Sequence, residues 1–127
     1  MQQRQSSALK RVLVVDDEPF IRFLLSEELR IAGYQVIEAS NADEALPIIE
    51  SKTPDLIISD VRMPGSLDGL GLLAVVRETS PTLPVIIISG HLEPSIALAK
   101  GATHFVPKPF SVRAIIKAVQ NYLGKAR

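Results

Sequence analysis

Residues 56–64 read LIISDVRMP, an apolar run that stops abruptly at a carboxylate, Asp60. Other apolar runs end in related chemistry: Val12 to Val15 stops at Asp16 and Asp17, Val85 to Ile88 stops at Ser89, and Thr103 to Val106 leads into Lys108. Buried strands of a parallel sheet are continuous Val/Ile/Leu runs because both faces are covered, and ligands collect outside the strands' carboxyl ends. All these polar endings are therefore expected on one rim.

The segments between the runs read as helices. Pro19 suits a first helical turn, where its missing N–H costs nothing, and Ile21, Leu25, Leu29 and Ala32 form a stripe that Gly33 closes. After a second strand, Tyr34 to Ala39, Asn41 is placed to cap a helix with Ala42, Ala45, Leu46 and Ile49 inward. Pro47 inside that pattern removes a backbone hydrogen bond, so this helix is expected to kink or start late. Beyond Asp60, the loop MPGSLDGLG delays the helix signal to about Leu70. Pro94 starts a short apolar helix closed by Gly101, and Ser111 caps an amphipathic one with Val112, Ile115, Ile116, Val119 and Leu123. Strands alternating with helices imply an α/β domain with a parallel sheet covered on both faces.

At 127 residues the chain suits one domain, with 46% hydrophobic and 22% charged residues. Lys+Arg 14 offsets Asp+Glu 14, a balance that recruits neither nucleic acid nor anionic membrane. The absence of cysteine excludes disulfides, thiolate nucleophiles and Cys-type zinc sites. The first apolar run is too short for a signal peptide or a membrane span, and a cytoplasmic protein is expected. The expected organisation is a tail over residues 1–9, one domain over 10–124 and a second tail over 125–127.

Three carboxylates on neighbouring strand ends would repel one another strongly, so such a site either raises a pKa or binds a cation. Oxygen ligands with room for water suit Mg2+. Asp16 or Asp17 alone also reads as a cap or turn residue; it is the conjunction with Asp60 that points to a metal. Lys108 and Ser89, each unremarkable alone as a solvated loop or turn residue, add the complement of a phosphoryl group's oxygens.

The set VVDDE, LIISDVRMPG, VIIIS and VPKPF resembles the receiver domain of bacterial two-component response regulators, from about Lys10 to Leu123. The resemblance implies a flavodoxin-like (βα)5 doubly wound sheet of order 2-1-3-4-5. It further implies that Asp60 is the phosphoacceptor, that Asp17, Asp60 and the main-chain carbonyl of Arg62 ligate Mg2+, and that Asp16 assists through water. Lys108 would pair with a phosphoryl oxygen, Ser89 and Phe105 would be the switch residues, and the Lys108–Pro109 bond would be cis. The donor would be phosphohistidine of a sensor histidine kinase or a histidine phosphotransfer protein, and the domain would promote its own phosphorylation and dephosphorylation without being a turnover enzyme.

Ser66 and Leu67 stand where the family usually has one residue before Asp-Gly, a departure that bears on how the third helix starts rather than on the phosphoacceptor. Gly90, Arg62 and His91 border the expected phosphoryl position and are candidates for tuning its lifetime, although Arg62 and His91 also read as solvated loop residues. His104 reads as a surface or edge residue. In the helix after Pro94, Ile96 or Leu98 should reach the surface, because four successive apolar residues exceed one helix face. With so little chain after Leu123, the expected unit is a receiver alone, either free-standing or cut from a larger protein. Its output would be a contact with a downstream protein effector, or a homodimer through the last two helices and fifth strand, with no direct DNA binding and no membrane. An Mg2+-dependent phosphohydrolase would use the same carboxylates, but the chain has no insertion to recognise a substrate. A flavin or nucleotide binder would need a Gly-rich loop where DDEP stands.

Overall fold

The apolar runs supply two cores at once, because alternate residues of each strand face opposite ways. The structure, a computed structural model, describes residues 9–126. The expected N-terminal tail thus lies, except for Leu9, outside the described residues. The strands are β1 (Arg11–Val15), β2 (Gln35–Ala39), β3 (Leu56–Asp60), β4 (Val85–Ser89) and β5 (His104–Pro107). They alternate with α1 (Pro19–Ile31), α2 (Ala42–Lys52), α3 (Gly69–Thr79), α4 (Pro94–Ala99) and α5 (Val112–Leu123). All strand pairs are parallel, in the order β2-β1-β3-β4-β5.

Leu13, Val15, Ile57, Val85 and Ile87 point to one side and meet Ala42 and Ala45 of α2, Leu72, Leu73 and Val76 of α3, and Ala97 of α4. Val12, Val14, Leu56, Ile58, Ile86, Ile88 and Val106 point to the other and meet Leu25 and Leu29 of α1 and Ile115, Ala118 and Val119 of α5. Each fully buried Leu or Ile is worth about 1.5–3 kcal/mol against solvent exposure, so the central strands dominate the stability. The edge strands β2 and β5 are only partly buried, which is why YQVIEA alternates while LIISD does not.

Helix ends carry the predicted chemistry. Asn41 Oδ1 accepts from Glu44 N at 2.8 Å while Glu44 Oε1 accepts from Ser40 N, one residue before the cap, at 2.7 Å, a variant of the capping box. Ser111 caps α5 through Ala114 N as expected, and Asp68, which the sequence reading left in the loop, caps α3 through Gly71 N. Gly33 ends α1 with φ 101°, a left-handed turn that a side chain would strain. Helix α2 corrects the expectation of a late start: it begins at Ala42 and runs through Pro47. The Asn41 cap and the packing of Ala42 and Ala45 against the sheet hold the first turn despite the missing N–H. Ile96 and Leu98 both reach the surface, because a helix this short against one sheet face buries only Ala97. Among the described residues, no helix is long and apolar enough to cross a membrane.

Arg77 ties the end of α3 to the turn between α4 and β5. Its Nε donates to Gly101 O at 2.8 Å, one terminal nitrogen to Ser80 O at 3.0 Å and the other to Thr103 Oγ1 at 3.2 Å. Burial draws its pKa below the usual arginine value. Hydrogen bonds from a charged donor are worth about 1.5–3 kcal/mol each when their loss leaves buried acceptors unpaired. Arg77→Met, which keeps the stem, is expected to cost about 2 kcal/mol in urea unfolding. A midpoint equal to the parent's would show that the clamp contributes nothing.

Candidate functional site

The site forms where the sheet order reverses, between the carboxyl ends of β1 and β3. Val15 pairs with Ser59, so the next residues along the two strands, Asp16 and Asp60, emerge side by side. With Asp17 they form a group in which each residue offers a carboxylate oxygen within 4.8 Å of the others. Asp60 is 6% exposed and Asp16 1%, whereas Asp17 is open to solvent. Asp60 Oδ1 accepts from Val61 N at 2.7 Å, and its Oδ2 accepts from Lys108 Nζ at 2.9 Å. Lys108 reaches across from the end of β5, and its own N–H donates to Ser89 O at 3.0 Å. Its peptide bond to Pro109 is cis.

The electrostatics follow from burial and crowding. Burial pushes the Asp16 carboxyl up to about 6, the neighbouring charges of Asp60 and Asp17 add to that rise, and the Glu18 N–H and Lys108 oppose it. For Lys108, burial alone would lower the pKa, but the hydrogen bond and charge of Asp60, with Asp16 and Glu18 behind them, outweigh it and raise the value. Among the described residues Asp16 Oδ2 has no hydrogen-bond partner although it is buried. An orphaned, desolvated carboxylate oxygen beside two more carboxylates is the donor set of a hard cation that keeps part of its water shell. The residues present therefore fit Mg2+.

The other predicted residues surround this centre. Ser89 is buried at the end of β4, where its Oγ accepts from His91 N and Leu92 N at 3.1 Å each. Phe105, one strand over and opposite Ile87, is partly buried against the α2, α3 and α4 core. Gly90 and the side chain of His91 are exposed. A Cβ at Gly90 would meet Lys108 Cβ at 3.4 Å, an ordinary contact, so the position is open rather than crowded. Arg62 is exposed and lines, with Asp17, Met63, Pro64 and Asp68, a cleft of about 390 Å3 beside the carboxylates.

Several contributors were not anticipated from the sequence. Glu18 N donates to Asp16 Oδ1 at 2.9 Å, and its carboxylate stands 4.0 Å from Lys108 Nζ. Arg22 donates to Asp16 O at 2.6 Å. Gly69 lets the start of α3 lie directly on the Asp60 carbonyl, and Ser66 Oγ donates to Asp43 Oδ1 at 2.6 Å, tying the lengthened loop to α2. Arg22 had a usable signal: it lies one helical turn beyond Glu18, so its stem rises beside the β1–α1 turn.

A five-stranded doubly wound sheet with acids and a lysine gathered at its reversal point defines the receiver class, and the chain belongs to it: the family profile of the response regulator receiver domain matches residues 12–120. The chain is 40% identical over 116 residues to the DNA-binding transcriptional regulator NtrC of Salmonella typhimurium, which covers 89% of this chain and 24% of that protein. It is 39% identical over 120 residues to the nitrogen assimilation regulatory protein NtrX of Azorhizobium caulinodans, covering 91% of this chain and 26% of that one. The chain thus spans about a quarter of the length of these curated relatives. The crystal structure of the NtrX receiver domain from Brucella abortus superposes with a TM-score of 0.82 at 39% identity, over 88% of this chain and 97% of that one. The chemotaxis protein CheY4 of Vibrio cholerae gives a TM-score of 0.83 at 35% identity, over 91% and 100%.

Proposed function

We propose that residues 10–124 accept a phosphoryl group on Asp60 from a phosphohistidine of a sensor histidine kinase or a histidine phosphotransfer protein, in an Mg2+-dependent reaction. The observation that carries this reading is the Asp60 carboxylate, held by Lys108 Nζ at 2.9 Å within the three-aspartate group. Asp17 and Asp60 would hold the ion directly, with the Arg62 carbonyl as a further ligand and Asp16 assisting through water; when bound, Mg2+ supplies positive charge to the transferred oxygens. One Asp60 oxygen attacks phosphorus in line as the P–N bond breaks; the bonding pair returns to the imidazole, and an acyl phosphate results. Lys108, freed from Asp60 Oδ2, turns to a phosphoryl oxygen, and the Ser89 hydroxyl supplies a further donor.

The product adds about 1.5–2 negative charges beside Ser89, by analogy with other protein phosphates. Ser89 Oγ then gives up its two backbone donors for the phosphoryl group, and Phe105 turns into the space released. As a phenylalanine it acts by packing alone. The face of α4, β5 and α5, with Ile96 42%, Leu98 49% and Tyr122 41% exposed, would be read by a downstream protein or a second copy of the chain. The absence of direct DNA contact is proposed for residues 10–124 only, since the NtrC relatives named as DNA-binding extend far beyond the matched region. A cytoplasmic site of action accords with such a donor.

The test is intact mass after incubation with acetyl phosphate, with and without Mg2+. One phosphoryl adduct that requires Mg2+ supports the reading; no adduct, with Mg2+ binding shown and rapid hydrolysis excluded by a beryllofluoride trap, would refute it. The openness at Gly90 is proposed to admit water and bulky donors. Gly90→Val is then expected to lengthen the adduct's half-life and slow its formation, and unchanged rates would remove this role. The same decay measurement on Arg62→Ala and His91→Ala separates tuning residues from solvated ones.

A further inference from the structure

We infer that Arg22 is the positioning residue for the acidic cluster: its guanidinium fixes the backbone of Asp16 against β2 and so aims the free oxygen of Asp16 at the cation position. The inference rests on the Mg2+ reading above and adds a residue that does not itself touch the ion.

Asp16 is held at every polar atom but one. Its N–H donates to Ala39 O at 3.1 Å, its carbonyl accepts from Arg22 at 2.6 Å, and its Oδ1 accepts from Glu18 N at 2.9 Å. Among the described residues only Oδ2 is left without a partner. Two of these bonds lead to β2, directly through Ala39 and indirectly through Glu38, whose Oε1 lies 3.3 Å from Arg22 Nε. Glu38 is itself steadied by Arg30, 3.3 Å from its other oxygen, and Arg30 by Glu27 at 3.1 Å. The Arg22 side chain is only 20% exposed, whereas Arg30 and Glu27 are 44% and 47% exposed, so the chain of ion pairs becomes more buried toward the site.

This arrangement uses arginine as arginine. One nitrogen takes the carbonyl of Asp16 while Nε takes Glu38, a two-point grip that the single ammonium of lysine cannot reproduce. Because Mg2+ tolerates little departure from octahedral geometry, a carboxylate set loosely on its turn loses affinity out of proportion to the displacement. Groups that orient metal ligands typically matter by about 10–100-fold in affinity.

Charge and positioning predict opposite signs. Arg22 is a cation near an acidic cluster, so removing it by electrostatics alone would tighten cation binding. Loss of positioning weakens it. We would titrate the 127-residue chain with Mg2+ alone, following amide NMR shifts, in the parent, Arg22→Met, Arg22→Lys and Glu38→Gln. Arg22→Met and Arg22→Lys are each expected to raise the Mg2+ Kd about ten-fold. Glu38→Gln, which still offers an acceptor to Arg22, is expected to stay near the parent. The same spectra show whether each variant is folded, and Arg22→Lys decides should Arg22→Met fail to fold. Mg2+ binding by Arg22→Lys as tight as the parent's, or tighter, overturns the inference. A parent chain that binds no Mg2+ overturns the phosphoacceptor reading itself, and the two failures are thereby distinct.

Discussion

Asp60→Asn is expected to reduce phosphoryl incorporation from acetyl phosphate by at least about a thousand-fold while leaving the chain folded. Loss of a nucleophile removes the reaction path rather than weakening it, and effects of this size or larger are typical. The asparagine oxygen can still accept from Val61 N, which Oδ1 now does at 2.7 Å, so the β3 end keeps its shape. Only the Lys108 partner at 2.9 Å is lost. Intact mass after incubation with Mg2+ and acetyl phosphate reads the result directly. An adduct of undiminished yield in the variant would place the phosphoryl group on another residue and end the case for Asp60.

The largest expected effect on stability is at Gly69. A Cβ there would lie 2.0 Å from Asp60 O and 2.8 Å from Val61 Cα, both backbone atoms that cannot rotate aside. The start of α3 would have to lift from the end of β3, breaking the bond from Gly69 N to Val61 O at 2.8 Å. Gly69→Ala is therefore expected to cost about 3 kcal/mol or more in urea unfolding, despite alanine's better helix propensity. Because the displaced carbonyl belongs to Asp60, phosphoryl incorporation should fall with it. Gly71→Ala is the control: its Cβ would meet the mobile Cδ2 of Leu67 at 2.9 Å, and a propensity gain of up to about 1 kcal/mol offsets that contact. Equal unfolding midpoints for the two variants would refute the close approach of α3 to the end of β3.

Much of the site is legible in the sequence because a parallel sheet converts chain order into position. Four apolar runs each ending in a polar residue can hardly place those residues elsewhere than on one rim. Motif resemblance then supplies roles. The sheet order itself follows from the resemblance and from the structure, since strand runs alone do not say which strand lies beside which.

Other features depend on contacts that sequence patterns do not encode. The exposure of Phe20 at 73% and Phe23 at 60% contradicts any rule that aromatic residues go inside; α1 already covers its sheet face with Leu25 and Leu29. Pro47 sits within α2 because packing of the helix outweighs one missing hydrogen bond. Arg77 reads from the sequence as the last residue of a helix stripe, but two of its three bonds go to Gly101 and Thr103, which the fold brings alongside the end of α3.

By itself, the sequence determined the strands, the helices and the rim on which Asp16, Asp17, Asp60, Ser89 and Lys108 meet, because periodicity and punctuation are local properties of the chain. Tertiary structure alone decided the close fits: Lys108 against Asp60 across 48 positions, Gly69 against the Asp60 carbonyl, and Arg22 between Asp16 and Glu38. Distances of this kind depend on how whole elements settle on the sheet, and that is set by the summed packing of both cores rather than by any one residue's pattern.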